Sequence, residues 1–276
     1  MNVGNSRKLL GGVSGCVRVA MAFAFIHVTA LPRATFSAQV ETAHYSIDYL
    51  GITRQEVIEF GKRADKAYAI VKRFVGNLPK HEFIRVQRIH MVIRPEFRIP
   101  KTLISLWRGQ NRMEMPAHRV RDGRAPLIHE TTHSLVPSRN RFLAEGLAVY
   151  LEEKFGTLNA FPTFGRTVKT LLCGSIKQGN MVPLAKLFIE TIDYYNIFSR
   201  GMVGSWTMRL AYLEGGALVK RLLNDKRFGP NPESRKISFF RLFNGEGDIQ
   251  DIYRMDPDPL GQYLIRQTCP DIDRRK

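Results

Sequence analysis

The chain has 276 residues, of which 44% are hydrophobic and 24% charged. These proportions are typical of a globular protein, and they exclude a collagenous, low-complexity or largely disordered chain. The formal net charge is +17, but the lysines and arginines are scattered along the sequence, and no pattern of a nucleic-acid-binding module occurs. We therefore interpret the charge as a solvated basic surface and expect no nucleic-acid partner.

Residues 1–38 have the pattern of a targeting segment. They contain no Asp or Glu, and thirteen mostly apolar residues run from Val19 to Leu31. This length fits the hydrophobic region of a signal peptide and is short for a membrane span. We expect export to the periplasm or the cell exterior, where the basic surface would associate with anionic envelope polymers. An uncleaved N-terminal membrane anchor is the alternative.

The next hundred residues carry strand patterns and one clear helix. Thr53 and Glu56 have the spacing of a capping box, which marks the start of a helix. The strands are indicated by alternating or continuous apolar residues between turn-forming residues. The predicted elements are a strand over residues 40–49, a helix from about residue 54 to Gly76, a strand over residues 86–94, and a hairpin of residues 102–108 and 111–118.

The segment from His129 to His133 reads His-Glu-Thr-Thr-His and is the most informative part of the chain. Histidines four residues apart point the same way on a helix, because one turn takes 3.6 residues, so their rings can share one metal ion. Glu130 borders the same face and can act as a general base on a water molecule. The motif is typical of zinc-dependent hydrolases; two solvated histidines on a surface helix are the alternative.

Glu145 is the candidate third ligand and follows His133 by twelve residues. Two histidines and one carboxylate leave a fourth position open to water, which is the pattern of a catalytic zinc site. The segment 142–154 is predicted to be a helix, and Gly146 allows close approach of another helix because glycine has no Cβ. Taken alone, Glu145 would be interpreted as a solvated helix residue. With the motif, we expect one Zn²⁺ per chain, bound by His129, His133 and Glu145.

Beyond Pro137 the apolar patterns predict helices throughout. One helix begins at Pro183, a second extends from Trp206 to Leu223, and a third covers residues 237–243.

Cysteine usage leaves one question open. Cys173 and Cys269 form an even pair once the N-terminal segment is removed, and the sequence supports a disulfide and two free thiols equally, since it contains no distance information.

The residues around the metal motif resemble the gluzincins, the superfamily of thermolysin and aminopeptidase N, and most of all the compact bacterial peptidase MA-like proteins. The stretch from Phe142 to Tyr150 is similar to the W-L-N-E-G-F-A-x-Y pattern around the third ligand of the aminopeptidases and differs from it at three positions. The segment that begins at Tyr212 is similar to their Y-E-K-G-A segment. That likeness implies that the Tyr212 hydroxyl stabilises the oxyanion; a core aromatic is the alternative.

The resemblance implies an α+β fold. We expect a small, mainly antiparallel sheet with helices in residues 39–136, the zinc-binding helix at the seam, and an all-helical half in residues 137–276 that carries the third ligand. In gluzincins an edge strand upstream of the metal helix binds the peptide backbone by strand addition. Here that role would fall on the segment from Arg112 to His118, while His118 itself is expected to be a surface residue.

We therefore expect a zinc-dependent metallopeptidase that hydrolyses peptide bonds with a metal-activated water and with Glu130 as general base. The chain has no G-x-M-E-N segment, which anchors the free amino terminus of the substrate in the aminopeptidases, so an endopeptidase acting on peptides or proteins is favoured. Two alternatives stay open. One is a non-catalytic, basic envelope-binding protein on a gluzincin fold, and the other is a zinc hydrolase of a non-peptide amide or ester.

Overall fold

A computed structural model describes residues 38–76, 88–105, 110–138, 140–188 and 206–271. The predicted targeting segment lies outside these ranges, apart from Ala38, and so do residues 86 and 87 of the predicted strand 86–94 and residues 106–109 of the predicted hairpin. The strands are β1 (Ala38–Glu41), β2 (Tyr45–Tyr49), β3 (Ile89–Arg94), β4 (Lys101–Ser105) and β5 (Gln110–Pro116). The helices are α1 (Arg54–Val75), α2 (Ala117–Arg121), α3 (Leu127–Leu135), α4 (Arg141–Phe155), α5 (Val168–Lys177), α6 (Leu184–Leu187), α7 (Trp206–Asn224), α8 (Pro232–Phe243), α9 (Ile249–Tyr253) and α10 (Pro257–Thr268).

The five strands form one mixed sheet in the order β1-β2-β3-β5-β4. The outer pairs β1–β2 and β4–β5 are antiparallel, whereas β2–β3 and β3–β5 are parallel. The prediction of a mainly antiparallel sheet is therefore wrong. The reason is topological: α1 carries the chain from β2 back to the start of β3, and such a crossover makes the two strands parallel. The coarser prediction of an α+β fold is confirmed.

The predicted strand over residues 40–49 is in fact two strands joined by a tight turn. The hydroxyl of Thr42 donates to Asp65 of α1 at 2.9 Å, and the same oxygen accepts from the backbone N–H of Tyr45 at 3.0 Å. These bonds reverse the chain without breaking the alternation that indicated a strand. Tyr45, Ile47 and Tyr49 are buried on one side of β2, as their spacing predicted.

Strand order corrects the predicted peptide-binding edge. The segment from Arg112 to His118 is not an edge strand, because β5 pairs with β3 on one side and with β4 on the other. The strand ends at Pro116, and the chain continues directly into α2, so His118 lies on a helix, where it is exposed. Among the described strands, β4 is the edge on this side of the sheet.

Helix α3 is fixed to the sheet by polar contacts. The hydroxyls of Tyr45 on β2 and Thr131 on α3 are hydrogen-bonded at 2.8 Å, and both residues are buried. The side-chain amide of Asn111 on β5 donates to the carbonyl of Ser134 at 2.8 Å. These contacts orient α3 about its axis, which determines where the histidine-bearing face of the helix points.

The helical half of the chain, which begins at residue 137, packs against α3 through α4 and α7. Between residues 137 and 271 the described segments contain helices and loops but no strand, in line with the predicted helical half. Gly146 on α4 contacts Gly215 on α7 so closely that a Cβ at position 146 would lie 2.6 Å from the Gly215 carbonyl group. One hydrophobic cluster runs from the sheet through these helices, so both halves share a core.

Cys173 on α5 and Cys269 after α10 form a disulfide, with Cα atoms 5.5 Å apart. The bond joins positions separated by 96 residues, a pairing that the sequence left open. Among the residues that the structure describes, no helix has both the length and the apolar character needed to cross a membrane.

Candidate metal centre

The two histidines of the motif and Glu145 converge on one point. The Nε2 atoms of His129 and His133 are 3.2 Å apart, and they lie 3.1 Å and 3.2 Å, respectively, from Oε2 of Glu145. Neighbouring ligand atoms around a tetrahedral zinc ion are separated by about 3.4 Å, given bond lengths near 2.1 Å. Among the described residues, this is the group whose donor atoms and spacing fit a metal ion.

Local sequence explains how α3 and α4 present these ligands. The i, i+4 spacing puts His129 and His133 on one face of α3, where their rings meet edge to face. Helix α4 begins at Asn140, whose side chain accepts from the Leu143 N–H at 3.1 Å and so satisfies one of the unpaired donors of the first turn. Glu145 follows in the second turn of α4, and only 1% of its surface is exposed.

Charge and burial set the protonation of these groups. Burial opposes ionisation of Glu145, but Arg141, one turn earlier on α4, pairs with its Oε1, and together with the histidines lowers its pKa well below the usual value. Burial lowers the pKa of both histidines and prevails in His133. In His129, Glu145 outweighs burial and the pKa is raised. An ionised carboxylate and a neutral imidazole are the forms that bind a metal.

Glu130 is buried beside the ligands and contacts the edge strand. The hydroxyl of Thr102 on β4 lies 2.8 Å from Oε2 of Glu130 and 3.1 Å from the Glu130 carbonyl oxygen. A hydroxyl has a single proton, so it donates to one of these oxygens at a time. Sequence reasoning did not identify Thr102, because nothing in its local pattern connects it to a residue 28 positions away.

Glu152 was also missed and orients the histidine helix. Its Oε2 accepts from the backbone N–H of His129 at 2.9 Å, and its Oε1 accepts from Thr157 N–H at 2.8 Å. The preceding Pro126 provides no side-chain cap for α3, so this carboxylate satisfies a donor at the helix start. Burial raises the pKa of Glu152. The signal was present in the sequence: Glu152 follows Glu145 by seven residues, or two turns, on the same face of α4.

Tyr212 on α7 borders the centre. Its ring lies roughly parallel to that of His129, with centroids 6.3 Å apart, and meets Phe161 edge to face at 5.4 Å. The structure thus brings the fifth predicted site residue to the same place as His129, Glu130, His133 and Glu145. Its part in the chemistry stays a prediction.

The centre opens into a cavity of about 570 Å³. Its described lining comes from the segment before and within β4, from α2 and α3, from the start of α4, from the loop after α4, and from α7. A second cavity, of about 640 Å³, lies near the start of α4 and beside α8. Although slightly larger, it has no group of described side chains that could bind a metal. The first cavity is therefore the candidate site.

No family model matches the chain, and no curated protein matches it. Any assignment of function therefore rests on the geometry and chemistry of this centre.

Proposed function

We propose that the protein is a zinc-dependent metallopeptidase of the gluzincin type, with one Zn²⁺ per chain. The observation that carries the proposal is the convergence of the His129, His133 and Glu145 donor atoms at 3.1–3.2 Å, with Glu130 beside them in an open cavity. The position of α3 between a small sheet and a helical half, which supplies Glu145, also supports a gluzincin-like fold.

The chemistry divides among the chain's own residues. When bound, zinc supplies a Lewis acid that polarises a carbonyl and lowers the pKa of a water molecule. Glu130 takes the proton of the attacking water and passes it to the leaving amine. Thr102, by donating to this carboxylate, fixes its direction. Tyr212 is the candidate donor to the oxyanion that develops on the substrate.

The edge strand supports a peptide as substrate rather than a small amide or ester. The edge strand β4 lies next to Glu130, since the Thr102 side chain on that strand contacts the carboxylate. Unpaired backbone groups on an edge can accept an extended peptide as a further strand. We assign to β4 the role that the sequence suggested for the segment from Arg112 to His118.

The charges of the cavity favour an endopeptidase over an aminopeptidase. An aminopeptidase requires a carboxylate for the free amino terminus of its substrate. Among the described lining residues, the acids are Glu130 and Glu145, which already have roles, while Lys101, Arg119 and Arg209 make the remainder basic. A positive substrate terminus would therefore be repelled.

The substitution Glu130→Gln tests the proposal directly. We expect it to leave about one zinc per chain by elemental analysis and to reduce kcat on a denatured protein substrate by at least about 100-fold, because the general base is lost. Wild-type activity should disappear with a zinc chelator and return with zinc.

Three further variants test the ligand set. His129→Ala and His133→Ala should lose zinc, whereas His118→Ala, which removes an exposed histidine from α2, should retain it. A Glu130→Gln protein with full activity would refute the role of the base, and wild-type protein that binds no zinc would refute the proposal as a whole.

A further inference from the structure

We propose that the cleft selects peptide segments in which a bulky apolar side chain is flanked by carboxylates. The inference names the substrate class of the same cavity, and it rests on the proposed peptidase function. It depends on two properties of the lining: exposed apolar surface concentrated beside the metal centre, and arginines that form no ion pair with an acid among the described residues.

The apolar surface comes from three parts of the chain. Six large hydrophobic residues are exposed among those described, and four of them line the cavity, with exposures of 42% to 48%. Soluble proteins rarely group exposed apolar residues without a ligand or partner for them. The four residues are Ile99, Leu103, Phe164 and Trp206.

The rings of Phe164 and Trp206 both contact the guanidinium group of Arg209. The Arg209 guanidinium lies over both rings, 5.1 Å and 5.6 Å from their centroids, and its Nε donates to the Pro162 carbonyl at 2.7 Å. No described acid forms an ion pair with it. Burial and the like charge of Arg166 both lower its pKa. Arginine stays charged nonetheless, so this partly desolvated cation has its remaining donors available to an anion.

Arg119 on α2 is a second arginine in the cavity lining that forms no ion pair with a described acid. It is half-buried and lines the cavity, and its Nε is buried without a hydrogen-bond partner among the described residues. Burial and the like charge of neighbouring Arg124 both lower the pKa of Arg119. Lys101 differs because it already pairs with Glu114 at 2.9 Å.

The two unpaired guanidinium groups lie on separate elements and share one cavity with the apolar side chains. A substrate carboxylate would supply each cation with the counter-charge that no described residue provides, and guanidinium groups bind carboxylates with two parallel hydrogen bonds. A lysine in the same substrate position would be repelled. The lining therefore matches an apolar residue with acidic neighbours better than an apolar residue alone.

The test uses three quenched fluorogenic peptides that share a central Phe and carry Glu, Gln or Lys at the flanking positions. The full-length protein with zinc should show the highest kcat/KM for the Glu peptide, by about tenfold over Gln, the factor expected for one hydrogen bond to a charged group. Arg209→Gln and Arg119→Gln should each lower the ratio of kcat/KM between the Glu and Gln peptides by about threefold, because each guanidinium would bind one of the two flanking carboxylates.

Two control variants isolate the cause. Arg266→Gln removes the same charge from an exposed position on α10 and should keep the preference. Arg209→Lys keeps the positive charge and should keep part of the preference for the Glu peptide. Thermal unfolding and zinc content of every variant should match wild type. Equal rates for the three peptides, or an equal loss in the Arg266→Gln variant, would overturn the inference.

Failure of the proposed function would be distinguishable from failure of this inference. If no peptide is cleaved, the peptidase proposal fails. Fluorescence anisotropy then measures the affinity of the Glu130→Gln protein for dye-labelled versions of the same three peptides. It shows whether the cleft binds the acidic peptide more tightly than the other two. Tighter binding of the Glu peptide would support the inference, and equal binding of all three would refute it.

Discussion

Single buried carboxylates in this protein differ in what they contact, and their pKa values differ accordingly. Glu145 pairs with Arg141 and the two histidines, which lowers its pKa in spite of burial. Glu152 accepts two backbone N–H groups and Glu214 accepts one, from Val182 at 2.9 Å. The second oxygen of Glu214 has no hydrogen-bond partner among the described residues. Burial therefore prevails at Glu214 and raises its pKa to about 8.

This perturbation predicts a pH-dependent stability. The folded-state pKa of Glu214, about 8, lies above the ordinary value of 4.5, so folding takes up a proton between these pH values. The free energy of unfolding should fall as pH rises from 4.5 through 8 and then level off. Glu214→Gln removes this contribution and should stabilise the protein by about 2–4 kcal/mol at pH 8 but little at pH 4.5.

Urea unfolding of the variant and of wild type at the two pH values measures the effect. Glu233→Gln on α8 is the control, because Glu233 is exposed. If Glu214→Gln raised the free energy of unfolding by the same amount at both pH values, the carboxyl group would not titrate as proposed.

At the level of elements, α4 connects the metal centre to the helical half. Glu145 and Glu152 lie two turns apart and contact α3, while Gly146 faces α7. One helix thus carries a candidate ligand, caps the helix that bears the other two candidates, and permits the close crossing with α7 that brings Tyr212 to the candidate site. A shift of α4 would disturb all three functions together.

Gly146→Ala tests this coupling. Its Cβ would lie 2.6 Å from the backbone of Gly215, where no flexible side chain can yield. We expect a loss of about 1–3 kcal/mol in unfolding free energy and weaker zinc binding, since Glu145 is the adjacent residue. Gly174→Ala on α5 is the matched control: its Cβ meets nothing within 4 Å, and a helix-favouring alanine should add about 0.5–1 kcal/mol. Zinc titration and chemical unfolding would measure both effects, and equal behaviour of the two variants would contradict the coupling.

For the whole molecule, a shared core and one disulfide join segments that are distant in sequence. The bond between Cys173 and Cys269 ties the last helix to α5 across 96 positions. A crosslink of this span removes conformational freedom from the unfolded chain, so its loss should cost about 2–4 kcal/mol.

The double variant Cys173→Ser/Cys269→Ser tests this contribution. It should unfold at a lower temperature than wild type in calorimetry and should not respond to a reducing agent, whereas wild type should. Zinc content should be retained below the transition, because the ligands lie on α3 and α4. Wild type that unfolds at the same temperature with and without the reducing agent would rule out a stabilising disulfide.

What the sequence alone determined was local. The i, i+4 spacing of His129 and His133, the capping box at Thr53, and the alternation in β2 each involve residues within a turn or two of one another. Helix periodicity and strand alternation are properties of short windows, so such features can be predicted without knowing the fold.

The tertiary structure determined the contacts between segments that are distant in sequence. It made β4, and not the segment from Arg112 to His118, the edge of the described sheet beside the site, and it brought Thr102 to Glu130 and Glu152 to the start of α3. It also paired Cys173 with Cys269. Such contacts depend on strand order and on how helices cross, and these follow from the packing of the whole core, which no local pattern in the chain contains.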